Sequence, residues 1–173
     1  DCDACRQIAP TVFAEIHEQS FVHQQPRTPY DHQRALMALV ACPTASIGTV
    51  SHQGAQAGVE AFPTPIVDNV FFCGFTAESS FGAWSYLIVR PPAEGGNVLV
   101  DSPRFSAPLV RRIEEMGGVR QFFLSHRDDI ADHARFAEHF HCPRLMHHGD
   151  GADRLGIERV ITGDAPVQLD DEL

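Results

Sequence analysis

The chain has 173 residues, 43% of them hydrophobic, enough to bury the core of one medium domain or two small ones. Its formal charge of −10, from 23 acidic against 13 basic residues, opposes binding to nucleic acid, and every one of those cations is arginine, which excludes lysine Schiff-base and Walker-type phosphate chemistry. No stretch approaches the about 20 apolar residues of a membrane helix, and the amino terminus has neither a basic region nor an apolar signal core, so neither a membrane nor a nucleic acid is an expected partner.

Residues 1–50 read as a compact, loop-rich unit with one good helix. Thr28-Pro29-Tyr30-Asp31 combines an N-cap, a proline at the first helical position and an acidic third position, and the helix it starts delivers Cys42 just past its end. Residues 51–62 are small, polar and aperiodic, which predicts a linker or surface excursion. From Pro63 onward, short apolar runs alternate with helical stretches, the pattern of a layered α/β arrangement, α+β over the whole chain. Strands are predicted near 66–72, 84–90, 98–101, 119–124, 144–147 and 159–161, with a hairpin turn at Gly95-Gly96-Asn97. A helix over 106–116 stops at Gly117-Gly118, and a second, from about Asp129 to Phe140, is expected to bury Ile130, Ala134 and Ala137.

Five cysteines cannot all be paired, so a reducing compartment, the cytoplasm, is expected. Iron–sulfur clusters are held by several thiolates, two of which usually come from one loop with two-residue spacers. Cys2 and Cys5 supply such a loop, and Cys42-Pro43 suits a returning ligand because proline cannot extend the preceding helix. A zinc ribbon would need a second Cys-x-x-Cys, which this sequence lacks. Cys73 and Cys142 lie in or beside apolar runs and read as buried small hydrophobes.

The cysteine constellation resembles the single-cluster bacterial ferredoxins, with their Cys-x2-Cys-x2-Cys, a long insert and Cys-Pro. Pro10-Thr11-Val12-Phe13 matches the Pro-x-Val-Phe after the loop, and Ala41-Cys42-Pro43-Thr44-Ala45-Ser46-Ile47 matches the closing Ala-Cys-Pro-x-x-x-Ile. The resemblance implies that Cys2, Cys5 and Cys42 bind a 4Fe–4S cluster with a foreign fourth ligand, or a 3Fe–4S cluster. It also implies a chain trimmed at its start, since the family's first cysteine would precede residue 1. An acidic surface suits a redox partner protein with a basic patch.

The second constellation is Ser125-His126-Arg127-Asp128-Asp129-Ile130-Ala131-Asp132-His133, directly after the apolar Phe122-Phe123-Leu124. Metal and catalytic groups are commonly built at the carboxyl end of such a strand. His126 and Asp128, alternate residues leaving the strand, can face one ion, while Asp132 and His133, at a helix start, can face another. Asp128 and Asp132 are the candidate catalytic carboxylates. In this arrangement the run resembles the His-x-His-x-Asp-His motif of the metallo-β-lactamase superfamily. Ser85-Tyr86-Leu87-Ile88, Asn97-Val98-Leu99-Val100-Asp101 and Phe123-Leu124-Ser125-His126 resemble further stretches of that superfamily in the expected order.

The resemblance implies that residues 63–173 are the N-terminal half of a metallo-β-lactamase αββα fold, cut before its later metal-binding histidine. Asp101 is implied to orient a ligand histidine. Two departures stand out: a carboxylate replaces the second histidine, which favours iron or manganese over zinc, and two extra residues leave Asp129 as an alternative to Asp128. Asp128 and Asp129 are also natural N-caps for the helix they precede, with His133 then a polar helix residue. Arg104, Arg127 and Arg135 could bind an anionic substrate. Two functions are therefore expected: a cluster-linked enzyme using one or two divalent metals (Fe, Zn or Mn) on a small-molecule substrate, by hydrolysis or redox chemistry, or a non-enzymatic electron carrier on a degenerate lactamase-like scaffold.

Overall fold

In the computed structural model, which describes residues 2–50 and 54–168, the chain opens on a short helix, α1 (Ala4–Ile8), followed by a hairpin of β1 (Phe13–Ile16) and β2 (Gln19–Val22). His17 and Glu18 make its two-residue turn, both at positive φ, as the twist of a tight hairpin requires. The sequence shows no strand here, because the two central residues are neither glycine nor asparagine and the strands expose Ile16, Phe21 and Val22 to solvent.

The helix read most clearly from sequence is α2 (Pro29–Ala41), and its predicted capping box is present. Thr28 Oγ1 accepts the Asp31 N–H at 3.0 Å, while Asp31 Oδ2 accepts the Thr28 N–H at 3.2 Å. Within 51–62, Ala55–Glu60 forms a helix, α3, packed on α2; Ser51, His52 and Gln53 lie outside the described residues. The small residues that hide its periodicity are what let it approach. Gly58 is buried, and a Cβ there would stand 2.7 Å from the Leu36 carbonyl carbon.

The remaining elements build one seven-stranded sheet in chain order: β3 (Thr64–Val67), β4 (Val70–Phe72), β5 (Tyr86–Ile88), β6 (Val98–Val100), β7 (Gln121–Leu124), β8 (Arg144–His147) and β9 (Arg159–Ile161). From β3 to β6 the neighbours are antiparallel, and from β6 to β9 they are parallel. Parallel neighbours need crossovers, and these are supplied by α4 (Ala107–Glu115), α5 (His133–Phe140) and the short α6 (Ala152–Leu155). The expected mixed α/β class is therefore the observed one. Leu109, Ile113 and Phe136 from the helices meet Leu99, Phe122 and Met146 from the sheet, all fully buried, at about 1.5–3 kcal/mol of transfer energy for each large side chain.

Two predicted elements differ. The strand expected over 66–72 is two strands, because Asp68 at positive φ turns the chain and pairs Val67 with Val70. The helix expected from Asp129 begins at His133, since the polar groups of 126–132 are bonded into the loop instead. Its buried face is therefore His133 and Phe136, and Ala134 is exposed.

The first fifty residues share this core. Ile8, Val12, Met37 and Ala41 belong to the same buried cluster as Phe62, Phe72, Leu99 and Phe122. The end of α2 is held by the sheet side: the buried Thr76 hydroxyl donates to the Ala41 carbonyl, and Arg104 Nη2 donates to the Val40 carbonyl at 3.2 Å. These are two of the carbonyls that a helix C-terminus leaves without intrahelical partners.

Candidate functional site

Cys2, Cys5 and Cys42 all carry free, partly exposed thiols and line one open cavity of about 1050 Å³. Its other walls are the β1–β2 hairpin, the loop after α2 and, from the sheet side, Glu78 and Phe81. Three structural features bring the sulfurs there. Cys2 precedes α1, Cys5 sits within its single turn, and α2 ends at Ala41 so that Cys42 caps it in extended conformation.

Burial works against an ionised Cys42, but donors around it outweigh that cost and leave its pKa below the ordinary thiol value. The Ser46 N–H donates to Cys42 Sγ at 3.3 Å, the Thr44 hydroxyl lies 3.6 Å away, and the Thr44 and Ile47 N–H groups act in the same direction. N–H groups aimed at a thiolate suit a metal-bound sulfur, and hydrogen bonds to the sulfurs tune a cluster's potential. Cys73 and Cys142 are buried, and burial pushes their thiols up to about 12 and about 11. They stay out of the site, as their apolar settings predict.

The Cys2 side chain is approached closely on one side by a residue that no sequence pattern singles out. Gly82, buried and at φ +81°, comes so close that a Cβ built on it would meet Cys2 Cβ, lie 3.0 Å from Cys2 Sγ and lie 3.3 Å from Pro43 Cγ. Only glycine fits that cradle. The thiols, the donors on Cys42 and this close approach fit an iron–sulfur cluster, whose size asks for thiols around a cavity and not at a single point.

The polar turn after β7 is arranged otherwise. His126 is half exposed; its Nδ1 accepts the Asp128 N–H at 3.2 Å and lies 3.6 Å from Asp128 Oδ2, while Nε2 faces Asp150 Oδ1 at 3.8 Å. His126 and Asp128 are thus side by side. Asp132 and His133 are not with them. Asp132 Oδ2 accepts the Phe105 N–H at 2.7 Å, and Arg135 lies 3.9 Å from its Oδ1. His133 is buried, and its Nδ1 receives Arg144 Nη1 at 3.1 Å. Burial first, then the Arg144 charge, lowers its pKa, with Glu158 in partial opposition.

The four expected metal ligands therefore form no common site. Among the described residues no group of three or more His, Cys, Asp and Glu side chains converges on a point where one metal ion would be held. The physical reason is competition: a backbone donor takes the Asp132 carboxylate, and a guanidinium takes the imidazole lone pair that a metal needs. Asp101 is likewise committed, accepting from the Ser125 N–H and the Ser125 hydroxyl, both at 2.7 Å, and not from a histidine. Burial first raises its pKa, against the Ser125 bonds.

The three candidate anion-binding arginines are engaged within the chain. Arg104 serves α2, Arg127 donates to the Gly149 carbonyl at 2.9 Å, and Arg135 lies 4.2 Å over the Phe105 ring. Asp129, the alternative ligand, turns toward a second cavity of about 660 Å³ that Cys2, Trp84, Tyr86, His126 and Asp128 also line. The thiol region and the polar turn thus open on one groove.

Residues 1–49 match the family described as the 4Fe-4S single cluster domain of Ferredoxin I, which supports the ferredoxin-type reading of that segment and of its iron–sulfur cofactor. No curated protein matches the chain. No helix among the described residues is long and apolar enough to cross a membrane.

Proposed function

We propose that this chain is a one-electron iron–sulfur protein in which Cys2, Cys5 and Cys42 hold the cluster, as 4Fe–4S with a further ligand or as 3Fe–4S. When bound, the cluster supplies reversible one-electron transfer. The observation that carries the reading is the single cavity lined by all three free thiols, one of them already biased toward thiolate by its donors. The acidic exterior would receive a redox partner protein with a basic surface, and free thiols suit the reducing cytoplasm. In this reading the chain divides into a ferredoxin-like segment (1–50), a connecting segment (51–62) and a lactamase-like sheet region (63–173).

Anaerobic reconstitution with ferrous iron and sulfide tests it. Visible charge-transfer absorption and a paramagnetic signal, on reduction for 4Fe–4S or in the oxidised form for 3Fe–4S, are expected in the parent chain and lost in Cys5→Ser. A parent chain that incorporates no iron and sulfide overturns the proposal, as does a Cys5→Ser chain that keeps both.

A second reading, favoured by the pairing of His126 with Asp128 at the carboxyl end of β7, makes the sheet region half of a metallo-β-lactamase-type enzyme. There the pair would contribute to a site for Fe, Zn or Mn acting on a small-molecule substrate. Metal beyond the cluster's iron, lost in His126→Ala, would support that enzyme. Iron confined to the cluster supports the carrier.

A further inference from the structure

The ferredoxin-like segment does not build its thiol site alone. Gly82 passes so close to Cys2 and Pro43 that no side chain fits between them, and it lies in the sheet region, between β4 and β5. Phe81, immediately before it, holds a positive φ of 54° and is 76% exposed, and its ring walls both the thiol cavity and the groove toward His126. A bulky residue held left-handed and exposed is strained for no gain in core packing. Thr76 and Arg104, also from the sheet region, bind the last carbonyls of the helix that sets Cys42 in place. The same segment reaches the polar turn, where the Ser80 hydroxyl accepts the Ala131 N–H at 2.9 Å.

We propose that the segment from Thr76 to Gly82 is part of the iron–sulfur site: Gly82 and Thr76 are positioning residues for Cys2 and Cys42, and Phe81 shields the cluster from water, so that the sheet region sets cluster retention and potential. The inference rests on the iron–sulfur reading and extends it to residues outside the ferredoxin-like segment. Its physics is direct. A Cβ at position 82 must push Cys2 aside, because the atoms it meets belong to a short, partly exposed side chain and a proline ring and not to a flexible chain end. A valine at 76 keeps the volume and leaves the Ala41 carbonyl without its donor, loosening the carbonyl end of α2 next to Cys42. Removing the Phe81 ring admits water to the cluster, and water favours the more highly charged, reduced state, moving the reduction potential upward.

The test uses the reconstituted chain and its Gly82→Ala, Thr76→Val and Phe81→Ala variants, with Gly151→Ala as the control. Gly151 has nearly the same φ, +84°, but open space around it, so it carries the backbone strain without the collision. Iron and sulfide content, the rate at which a chelator bleaches the visible absorption, and the reduction potential are measured. Gly82→Ala is expected to lose cluster at least several-fold faster than Gly151→Ala, Thr76→Val to fall between them, and Phe81→Ala to keep its iron with a higher potential. Equal bleaching of the two glycine variants together with an unchanged potential in Phe81→Ala overturns the inference. If Gly82→Ala does not fold, as circular dichroism would report, Phe81→Ala decides: a raised potential supports the inference and an unchanged one ends it. A parent chain that takes up no cluster refutes the iron–sulfur reading itself, a result distinct from any difference among variants.

Discussion

Cys42 is far along the chain from Cys2 and Cys5 yet faces the same cavity, whereas Asp132 and His133, only a few residues from His126, face elsewhere. Nearness in sequence is therefore the poorer guide to a shared site. What decides is whether stronger partners claim the functional groups first. Thiols have few competitors, since sulfur is a weak donor and acceptor. Carboxylates and imidazoles have many, and a backbone N–H and an arginine have claimed this pair.

That contrast predicts a large difference in thiol chemistry. Burial pushes the Cys73 thiol from 9.0 up to about 12, while Cys42 lies below its ordinary value. A less ionised and less accessible thiol reacts more slowly, so alkylation of the cluster-free chain, followed by peptide mass spectrometry, should modify Cys42 at least about tenfold faster than Cys73. Comparable rates would mean that the Cys42 donors do not act as described.

The core of the sheet should respond independently of the thiols. Phe136 is fully buried, with its ring 4.9 Å from Phe105 and 6.3 Å from Phe122. Phe136→Ala should cost about 3–5 kcal/mol in denaturant unfolding, by lost transfer energy and a cavity. Because one buried cluster spans both regions, the loss should appear in a single transition. Two separated transitions would show that the regions are less joined than their common core implies.

The polar turn offers a sharper test. If Asp132 is structural, Asp132→Ala strands the Phe105 N–H and lowers stability by about 1–3 kcal/mol without changing metal content. If it is a ligand, metal content falls and stability of the metal-free chain does not. Elemental analysis beside an unfolding curve separates the two.

The sequence announces elements whose physics is local. The Thr28–Asp31 capping box, the strands at 144–147 and 159–161 and the amphipathic helix ending at Gly117-Gly118 depend on short-range pattern, and each is present. The β1–β2 hairpin is hidden because its turn uses His17 and Glu18 at positive φ, where glycine or asparagine would have signalled it. α3 is hidden because glycine and alanine, which allow close packing on α2, also erase hydrophobic periodicity. In the site, the three cysteines are legible from spacing, but Gly82 is not: its role exists only where the fold lays it on Cys2. A glycine between Phe81 and the Ala83-Trp84 pair, just before the predicted strand at 84–90, is the one sequence signal of close approach.

The smallest effect concerns the group that keeps His133 from a metal. Arg144 donates to His133 and also grips Glu158, with Nη2 to Oε1 at 2.5 Å and its own N–H to Oε2 at 2.8 Å. Those bonds, chiefly the side-chain one, hold the Glu158 carboxyl at about 2, against 4.5 for the free group. A folded-state pKa below the unfolded one means that the contribution is present above pH 4.5 and lost as pH falls toward about 2. The carboxylate is half exposed, so solvent screening limits it to about 0–1 kcal/mol. Glu158→Gln should therefore unfold at slightly lower urea than the parent at about pH 6, and the gap should narrow at about pH 3 as the parent begins to lose its advantage. A gap that persists undiminished at the lower pH would mean that the ion pair is not what stabilises this edge, and that Arg144 is held on His133 by packing alone.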